Sequence, residues 1–431
     1  MSPDATIRLR VGWPLLLLPA LVFGQLVTPH SVWVVLLVVL IGLYGSAFAW
    51  VRAQAGALTF SRRRQDSLLV AGDILHEDFE LQNHGRLPVI WAEFIDGSDL
   101  PHYEAGAVIA TGPGGVYRWW KEVECSLRGV FRLGPHRLKL GEPIGLFETE
   151  IRFERYETLL IYPRVVQLPA FDLARGAAGG SAPRRRPLLG VLPAASVREY
   201  SYGDSMRHIH WPTSAHRGEL MVKEFEREPS GDVWIALDLG VAAQRGDGRT
   251  GTLETSIILA ASIAAELVSG RERRAVGLLV ASGDGVIALP PQPGQAQLWA
   301  VLAALAPAQP SDWSLAELLR RNRSVLGRRH TLILITADTG ERSVARDGWM
   351  AQLLQLNRQG IGGTVLLVTR PEEAEAAATT VQALDRIDIP ARIMRTDMPM
   401  RAALTYRRKR RVIRSTPTGG AYTVEVEEEV G

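Results

Sequence analysis

Two long apolar runs mark the beginning of the chain. Val11–Val27 and Ser31–Trp50 contain no charged side chain, and only residues 28–30 separate them. The second run has about the length of helix that crosses a bilayer core, roughly 20 residues. A cleavable signal peptide is the alternative for the first run, but no convincing small-x-small cleavage site precedes the second. The pattern predicts a transmembrane helical hairpin over residues 1–54, with spans at about 11–27 and 31–50.

A different pattern follows, in which short apolar segments alternate with polar positions. Segments such as FELQN, VIWAEFI and FRLGPHRLKL are separated by turns rich in Gly, Pro and Asn. This periodicity is typical of antiparallel strands with one buried face. We expect a β-sandwich-like domain over residues 55–170. Residues 171–196 are so rich in Gly, Ala and Pro that they predict a flexible connection.

The third pattern covers residues 197–405, where a polar arm precedes an α/β domain. Apolar strands such as VWIALDL, AVGLLVA, GVIAL, TLILIT and GTVLLVT alternate with amphipathic helices. Near-continuous apolar strands between such helices predict a mainly parallel sheet covered on both faces. The alternation is lost at residues 406–431, which are expected to form a peripheral C-terminal extension, with disorder as an alternative. The predicted fold class is therefore multi-domain: a helical hairpin, a β domain and an α/β domain.

Charge and cysteine content refine this picture. Arg8 and Arg10 precede the first span, and Arg52 and Arg62–Arg64 follow the second, so the positive-inside rule predicts that both ends lie in the cytoplasm. A membrane-anchored protein with cytoplasmic soluble domains is expected. The single cysteine, Cys125, excludes an internal disulfide and is expected to pack in a strand. The basic runs lack interleaved aromatic residues, so nucleic acid is not an expected partner, whereas the lipid bilayer is.

The segment richest in polar and ionisable side chains is the arm at residues 197–228, VREYSYGDSMRHIHWPTSAHRGELMVKEFERE. Gly203 permits a turn, after which Asp204 is expected to cap a short helical turn through Met206–Trp211. The plain interpretation is a charge-assisted network that fixes the arm to the sheet. The residues that we single out as signature or partner-binding candidates are Arg198, Tyr200, Gly203, Asp204, Arg207, His210, Trp211, Ser214, Lys223 and Glu224.

An enzymatic reading of the same arm is the alternative. Asp204, His210 and Ser214 are the residue types of a hydrolytic triad, yet no Gly-x-Ser-x-Gly turn surrounds the serine. The histidines of the arm match no standard zinc spacing. We therefore assign no catalytic residue, and a metal-dependent or hydrolytic enzyme using the Asp204/His210 region stays the second hypothesis.

The arm also carries a family resemblance. Its REY, Gly-Asp and VKEF elements resemble those of the bacterial DUF58 family, and a weaker match lies in Arg128-Gly129, Leu133-Gly134-Pro135 and Gly145-Leu146-Phe147. The matching positions of the arm are Arg198, Glu199, Tyr200, Gly203, Asp204, Arg207, Ile209, His210, Trp211, Ser214, Ala215, Gly218, Leu220, Val222, Lys223 and Phe225. The resemblance implies a von Willebrand A-like α/β domain and genes beside MoxR-type AAA+ ATPases and transglutaminase-like membrane proteins. It implies no reaction.

The von Willebrand A resemblance raises the question of a metal. The Mg²⁺ site of such domains is similar to Asp-x-Ser-x-Ser after the first strand, completed by a threonine and a second aspartate. Here the corresponding sequence is Asp238-Leu239-Gly240-Val241-Ala242, in which both serine positions lack a hydroxyl. Asp338, after the strand TLILIT, corresponds to the second aspartate. Because Mg²⁺ requires oxygen ligands in near-octahedral geometry, this degenerate set predicts no metal and no other cofactor.

The sequence thus favours a non-enzymatic adaptor or assembly protein at the membrane. The expected partners are the bilayer and a protein, of which a MoxR-type AAA+ ATPase is the first candidate and a transglutaminase-like membrane protein the second. A purely structural membrane protein is a third hypothesis.

Overall fold

The computed structural model describes most of the chain. The described residues are 4–167, 196–200, 206, 209–224, 232–270, 273–283, 285–327, 330–339, 348–397, 401–402, 406–415 and 421–430. The chain divides into two compact units, Met1–Arg164 with Thr405–Gly431, and Val165–Leu404. The predicted flexible connection at 171–196 lies almost wholly outside the described residues.

The apolar N-terminal runs form helices. A 3-10 turn at Trp13–Leu16 continues into α1 (Leu17–Val27), and α2 covers Ser31–Ala55. At Gly24 an added Cβ would lie 3.1 Å from the Trp33 ring, so the small residue lets α1 approach α2 closely. The ring of His30 caps α2 by accepting the N–H of Val32 at 3.2 Å.

Two of the described helices are long and apolar enough to cross a membrane, judged by length and composition alone. One is α2, of which 11% of the most apolar window is buried; the other is Thr252–Ser269, of which 72% is buried. The second is therefore a core helix of the α/β unit. α1 is apolar but shorter.

The described residues of the β-rich unit form eleven strands and a C-terminal hairpin. The strands are β1 (Asp4–Leu9), β2 (Leu58–Arg64), β3 (Leu69–Val70), β4 (Ile74–Asn83), β5 (Val89–Asp96), β6 (Ala107–Thr111), β7 (Val116–Glu124), β8 (Gly129–Leu133), β9 (His136–Gly141), β10 (Phe147–Phe153) and β11 (Glu157–Tyr162). Their sheets have the orders β1-β10-β9-β5-β6, β2-β4-β7 and β3-β11-β8.

An aromatic cluster joins the first two of these sheets. Phe79 of β4 stacks on Trp119 of β7 with ring centroids 5.1 Å apart, and Phe94 of β5 approaches Phe79 at 5.6 Å. All three side chains are buried. Because offset and edge-on ring contacts add to the free energy of apolar burial, this cluster fixes how the two sheets face each other. The predicted antiparallel β domain is present.

Two elements of the β-rich unit were not foreseen. Asp4–Leu9, assigned to the hairpin region, is a strand that pairs with β10 from Asp4 opposite Arg152 to Leu9 opposite Phe147. The C-terminal extension, for which disorder was an alternative, forms a hairpin of β22 (Tyr406–Ser415) and β23 (Ala421–Val430). Cys125 is buried, as expected, but lies just after β7 rather than in a strand.

The α/β unit is built around a six-stranded sheet. The strands of this sheet are β15 (Val233–Leu237), β16 (Val276–Ser282), β17 (Gly285–Gln292), β18 (Thr331–Thr336), β19 (Gly362–Thr369) and β20 (Ala391–Arg395). Two further pairs of short strands are β12 (Val166–Gln167) with β21 (Arg401–Ala402), and β13 (Ser196–Glu199) with β14 (Met221–Glu224). Its helices are α3 (Trp211–Arg217), α4 (Thr252–Ser269), α5 (Gln295–Leu305), α6 (Leu315–Arg321), α7 (Trp349–Arg358) and α8 (Ala374–Asp385).

The sheet order is β17-β16-β15-β18-β19-β20, and every neighbouring pair except β16–β17 is parallel. This confirms the mainly parallel sheet predicted from the apolar strands. All five residues of β15 are buried, as expected for a central strand covered on both faces. β17, which contains GVIAL, is antiparallel at the edge of the sheet, because the two residues between Ser282 and Gly285 are too few for a parallel crossover.

Candidate functional site

The signature arm is a strand–helix–strand segment. β13 pairs antiparallel with β14, from Ser196 opposite Glu224 to Glu199 opposite Met221, and α3 lies between them in sequence. The N–H of Tyr200 donates to the carbonyl of Leu220 at 2.9 Å and so extends this pairing. The predicted strand around 219–224 is therefore present.

Helix α3 begins at Trp211 and is capped by His210. Of the short helical turn predicted through Met206–Trp211, Met206 has a 3-10 conformation and its carbonyl accepts the N–H of Ile209 at 3.3 Å, whereas residues 207–208 lie outside the described residues. The ring nitrogen Nδ1 of His210 accepts the N–H of Thr213 at 3.3 Å and lies 2.6 Å from its hydroxyl. Gly218 ends the helix with φ of +74°, a left-handed conformation that favours glycine. The expected cap, Asp204, lies outside the described residues. Capping explains His210 without a catalytic role.

Ser214 has a structural environment as well. Its hydroxyl accepts the N–H of Met221 at 2.8 Å and lies 3.0 Å from the carbonyl of His210, and the side chain is buried. The hydroxyl thus ties α3 to β14. In the described part of the arm, its hydrogen bonds go to backbone groups, not to the ring of His210. This geometry is not that of a serine nucleophile with its general base.

The other candidates in the arm divide into three groups. Trp211 is 65% exposed on α3. Arg198, Lys223 and Glu224 take part in the β13–β14 ladder through their backbones. Gly203, Asp204 and Arg207 lie outside the described residues, so the predicted ion network of the arm stays a prediction.

A second group of polar residues lies where β15 and β18 end. These strands are parallel neighbours with Leu237 opposite Ile335, so Asp238 and Thr336 follow side by side. The Thr336 hydroxyl donates to Oδ2 of Asp238 at 2.6 Å and accepts the N–H of Asp338 at 3.0 Å. Oδ1 of Asp238 accepts the N–H of Gly240 at 3.0 Å. The structure therefore places Asp238 and Asp338 together, with Thr336 between them.

Burial controls the protonation of Asp238. The residue is 3% exposed. Burial, as the main cause, and the nearby charge of Asp338 raise the pKa of Asp238 to about 6, although the hydrogen bonds from Thr336 and Gly240 act in the opposite direction. Although both oxygens of the Asp238 carboxylate accept a hydrogen bond from the protein, burial still disfavours its charged form.

The loop after β15 is held by further polar contacts that sequence reasoning missed. The Gln244 side-chain amide donates to the Asp238 carbonyl at 2.8 Å, and the Thr252 hydroxyl donates to the Gln244 amide oxygen at 2.8 Å. The guanidinium of Arg245 lies 3.4 Å from the carboxylate of Glu373. Thr336 could have been found from its position two residues before Asp338. Gln244 and Thr252 carry no comparable signal, because Gln244 lies in an irregular loop and Thr252 is the first residue of α4.

A neighbouring backbone segment covers part of this loop. The N–H of Val241 donates to the carbonyl of Ser311 at 2.9 Å, and the N–H of Ser311 donates to the carbonyl of Leu239 at 2.9 Å. A Cβ added at Gly240 would lie 2.9 Å from the carbonyl oxygen of Trp313 and 3.1 Å from Oδ1 of Asp238. A serine at this position therefore does not fit without movement of the backbone.

This donor set does not fit the Mg²⁺ site of von Willebrand A domains. One hydroxyl position is closed by the Trp313 carbonyl, the other is Ala242, and both oxygens of Asp238 already accept protein hydrogen bonds. Mg²⁺ needs about six oxygen ligands in near-octahedral geometry. Within the described residues, no group of three or more His, Cys, Asp or Glu is placed to hold a metal.

Gly240→Ser is expected to lower the stability of the α/β unit by roughly 1–3 kcal/mol, since the added atoms overpack a closed backbone contact. Chemical denaturation of the full chain in detergent, followed by the fluorescence of its tryptophans, measures the change. Ala242→Ser is the matched control, because Ala242 is exposed and should accept the same hydroxyl with little effect. A Gly240→Ser chain as stable as the wild type, and further stabilised by millimolar Mg²⁺, would contradict the closed-site geometry.

Comparisons with known proteins identify the segment but no activity. Residues 196–377 match the model of the family described as "Protein of unknown function DUF58". An uncharacterised protein named YeaD from Bacillus subtilis is 28% identical over 193 residues, covering 41% of this chain and 47% of that protein. The chain thus spans about half the length of this relative. The resemblance predicted from the arm is confirmed over this segment.

Solved structures with similar parts are remote. The CARDB domain of a Pyrococcus furiosus protein, bound to two metal ions, is 10% identical with a TM-score of 0.17, covering 22% of this chain and 85% of that one. A PapD-like domain of human CEP192 is 13% identical with a TM-score of 0.18, covering 25% of this chain and 87% of that one. Scores at this level carry no argument about function.

Proposed function

With residues 196–377 taken as a DUF58 segment, we propose that the chain is a membrane-anchored, non-enzymatic adaptor or assembly protein. Its α/β unit, von Willebrand A-like in this proposal, binds a protein partner. The binding surface is at the carboxyl ends of the parallel strands, where Asp238 and Asp338 lie. The partner class is a MoxR-type AAA+ ATPase, with a transglutaminase-like membrane protein as the second candidate. The hairpin holds the soluble units at the cytoplasmic face of the bacterial inner membrane.

The choice of this binding surface rests on one observation, which is the position of Asp238 and Asp338 in the sheet topology. β15 continues to β16 on one side, and the later strand β18 lies on its other side. The strand order therefore reverses between the ends of β15 and β18. In open α/β sheets, ligands bind outside the carboxyl ends of the strands at this switch point.

The surface at this edge suits a macromolecule better than a small molecule. Its own backbone at Ser311–Trp313 packs on the loop after β15, so the crevice is partly filled. Val241 remains 57% exposed, and Asp312 and Arg245 are exposed beside it. An exposed aliphatic residue bordered by charges of both signs suits a protein interface, where apolar contacts are surrounded by a polar rim.

Two features support the anchor. The first is the length and composition of α2, which satisfy the requirement for a transmembrane helix. The second is the distribution of tryptophans: Trp33 lies near the turn between the helices, and Trp13 and Trp50 lie at the opposite ends. Tryptophan is enriched at both membrane interfaces. Arg8, Arg10 and Arg52 favour the cytoplasmic side for these opposite ends.

The enzymatic alternative gains no support from the described arm. Ser214 is occupied by backbone hydrogen bonds, and His210 caps α3. We therefore give the arm a structural role rather than a catalytic one.

Val241→Glu is expected to reduce recovery of the partner about tenfold, which corresponds to roughly 1.4 kcal/mol of binding free energy. The full chain, carrying an affinity tag, would be purified from bacterial membranes with ATP present, and the MoxR-type AAA+ ATPase of the same genome would be quantified. Val325→Glu is the matched control, because Val325 is 40% exposed and lies shortly before β18, toward the other edge of the sheet.

The outcomes separate the hypotheses. Recovery of the ATPase with wild type and Val325→Glu, but not with Val241→Glu, supports binding at the carboxyl edge. Equal recovery with both variants places the partner elsewhere. Absence of the ATPase from the wild-type preparation removes this partner class.

A further inference from the structure

The loop between β9 and β10, residues Glu142–Leu146, lies at the base of the apolar helices. Leu146 forms a buried cluster with Tyr44 and Ala47 of α2. The ring of Phe147, the next residue, lies 6.1 Å from the Tyr44 ring and 5.7 Å from the Phe48 ring, both in edge-on contact. The loop is therefore part of the same packed body as the C-terminal half of α2.

Backbone hydrogen bonds fix this contact. The carbonyl of Leu146 accepts the N–H groups of Arg10 at 2.8 Å and of Val11 at 3.2 Å. The hydroxyl of Tyr44 donates to the carbonyl of Val11 at 2.9 Å. The loop, the start of the first apolar run and α2 are thereby joined at one level along the helix axis.

A buried carboxylate gives the loop its shape. Glu142 is 1% exposed, and its carboxylate accepts the N–H groups of Ile144, Leu146 and Phe147. Burial alone would raise the pKa of Glu142, but these backbone hydrogen bonds hold it below its usual value. The turn directs Leu146 inward against α2 and leaves Ile144 57% exposed.

The length of α2 determines how deep this level lies. At a rise of about 1.5 Å per residue, Tyr44 lies roughly 20 Å from Ser31 and Phe48 roughly 25 Å from it. The hydrocarbon core is about 30 Å thick. With Ser31 at the outer boundary, Tyr44 and Phe48 therefore lie within the inner part of the core, and the loop packed on them reaches the boundary.

The exposed side chains around the loop suit that depth. Leu9, paired with Phe147 in the sheet, is 45% exposed, and Phe48 is 43% exposed. Arg10, which follows Leu9, and Arg52, about one helical turn after Phe48, are exposed. Apolar groups with basic residues beside them match the boundary between acyl chains and anionic headgroups.

We propose that the Glu142–Leu146 loop is a membrane-contact element that inserts Ile144 into the inner interface of the bilayer and so seats the β-rich unit directly on the lipid. The occupant of this surface is lipid, not a protein partner. The inference rests on the anchoring of α2 that is part of the proposed function, and it adds a second lipid contact made by the β-rich unit itself.

Depth-dependent fluorescence quenching tests this contact in the full chain. Ile144→Cys would be labelled with an environment-sensitive fluorophore and reconstituted into phosphatidylethanolamine/phosphatidylglycerol vesicles, with and without spin-labelled phospholipid. Cys125 stays in place because it is buried, and the chain without an added cysteine reports any background labelling. Leu36→Cys, on an exposed position of α2, reports whether the anchor is in the bilayer.

Val108→Cys is the matched control within the β-rich unit. Val108 is an aliphatic residue that is 73% exposed on β6, the strand at the opposite edge of the sheet from β1. Four strand spacings of about 4.8 Å separate β6 from β1, so its label should stay in water.

We expect quenching of the Ile144→Cys label by spin-labelled lipid to be at least twofold greater than that of the Val108→Cys label. If the Leu36→Cys label is quenched and the Ile144→Cys label behaves like that at Val108, the anchor stands and the loop contact is overturned. If the Leu36→Cys label is not quenched, the anchor fails and the loop contact fails with it.

Discussion

Arg62→Ala is expected to destabilise the β-rich unit by about 3–5 kcal/mol, the effect of removing one partner from a buried ion pair. The Arg62 side chain is 5% exposed, and its guanidinium donates two hydrogen bonds to the Glu77 carboxylate, at 2.8 and 2.7 Å. It also donates to the Tyr103 hydroxyl at 2.9 Å. Alanine would leave the Glu77 carboxylate, which has no exposed side-chain surface, without its cation.

The network extends across the two facing sheets. Asp96 of β5 lies 3.7 Å from the Arg62 guanidinium and 3.8 Å from the ring nitrogen of His136, which stands opposite it on β9. Burial favours a higher pKa for Asp96, but the nearby His136, the hydrogen bond from Ser98 and the charge of Arg62 hold that pKa below its usual value. Burial and the Glu77 charge raise the pKa of the Tyr103 hydroxyl. Arg62 therefore neutralises two buried carboxylates at once.

Hydrogen exchange of the full chain, read by mass spectrometry, is the measurement. Peptides from β4 and β5 should exchange at least 100-fold faster in Arg62→Ala, since a loss of 1.4 kcal/mol corresponds to a factor of ten in the opening equilibrium. Arg63→Ala is the matched control: it removes an arginine from the next position of β2, where the side chain is exposed. Equal protection in the two variants would show that the buried network adds nothing to stability.

Arg62 also shows where sequence reasoning reaches its limit. Its run of three arginines follows an apolar helix, and it was therefore counted among the basic residues that flank the membrane. Strand β2 places alternate side chains on opposite faces, so Arg62 points into the core while Arg63 points to solvent. The run of three arginines does not show which side chain is buried, because the carboxylates that pair with Arg62 lie 15 and 34 positions later in the sequence.

The α/β unit was easier to predict because its signal is local. Continuous apolar strands between helices indicate a covered parallel sheet, and the sheet has that form. The resemblance to von Willebrand A-like domains also implied that Asp238 and Asp338 belong to one site, and the structure places them together with Thr336 between them. The closing of Gly240 by the Trp313 carbonyl was not predictable, because it depends on how a distant loop returns to the edge.

The arm falls between these cases. Its composition allowed a hydrolytic triad, a metal site or a structural segment, and all three contain the same residue types. Hydrogen-bond partners distinguish them: His210 accepts from the helix that it begins, and Ser214 bonds to the strand that follows. Short polar side chains of this kind often satisfy nearby backbone groups.

Asp238→Asn is expected to abolish a pH dependence of stability in the α/β unit. The folded-state pKa of Asp238, about 6, exceeds the value of about 3.9 for an unfolded aspartate. The folded state therefore binds a proton more tightly than the unfolded state, and the contribution is complete below pH 4 and lost as the pH rises through 6. At 1.36 kcal/mol per pKa unit the whole effect is roughly 3 kcal/mol, of which about 2 kcal/mol is lost between pH 4.5 and 7.5.

Denaturant unfolding of the full chain in detergent at pH 4.5 and 7.5 measures this difference, with the buried Trp234 and Trp349 contributing to the fluorescence signal of the α/β unit. Asparagine keeps the size of the side chain and an acceptor for the N–H of Gly240, but carries no charge at either pH. The variant should thus lose about 2 kcal/mol less than the wild type on going to pH 7.5. Asp247→Asn, at an exposed position of the same loop, should follow the wild type. An identical pH response in Asp238→Asn and the wild type would mean that Asp238 ionises as freely when folded as when unfolded, and that the closed edge of the sheet holds a charge without penalty.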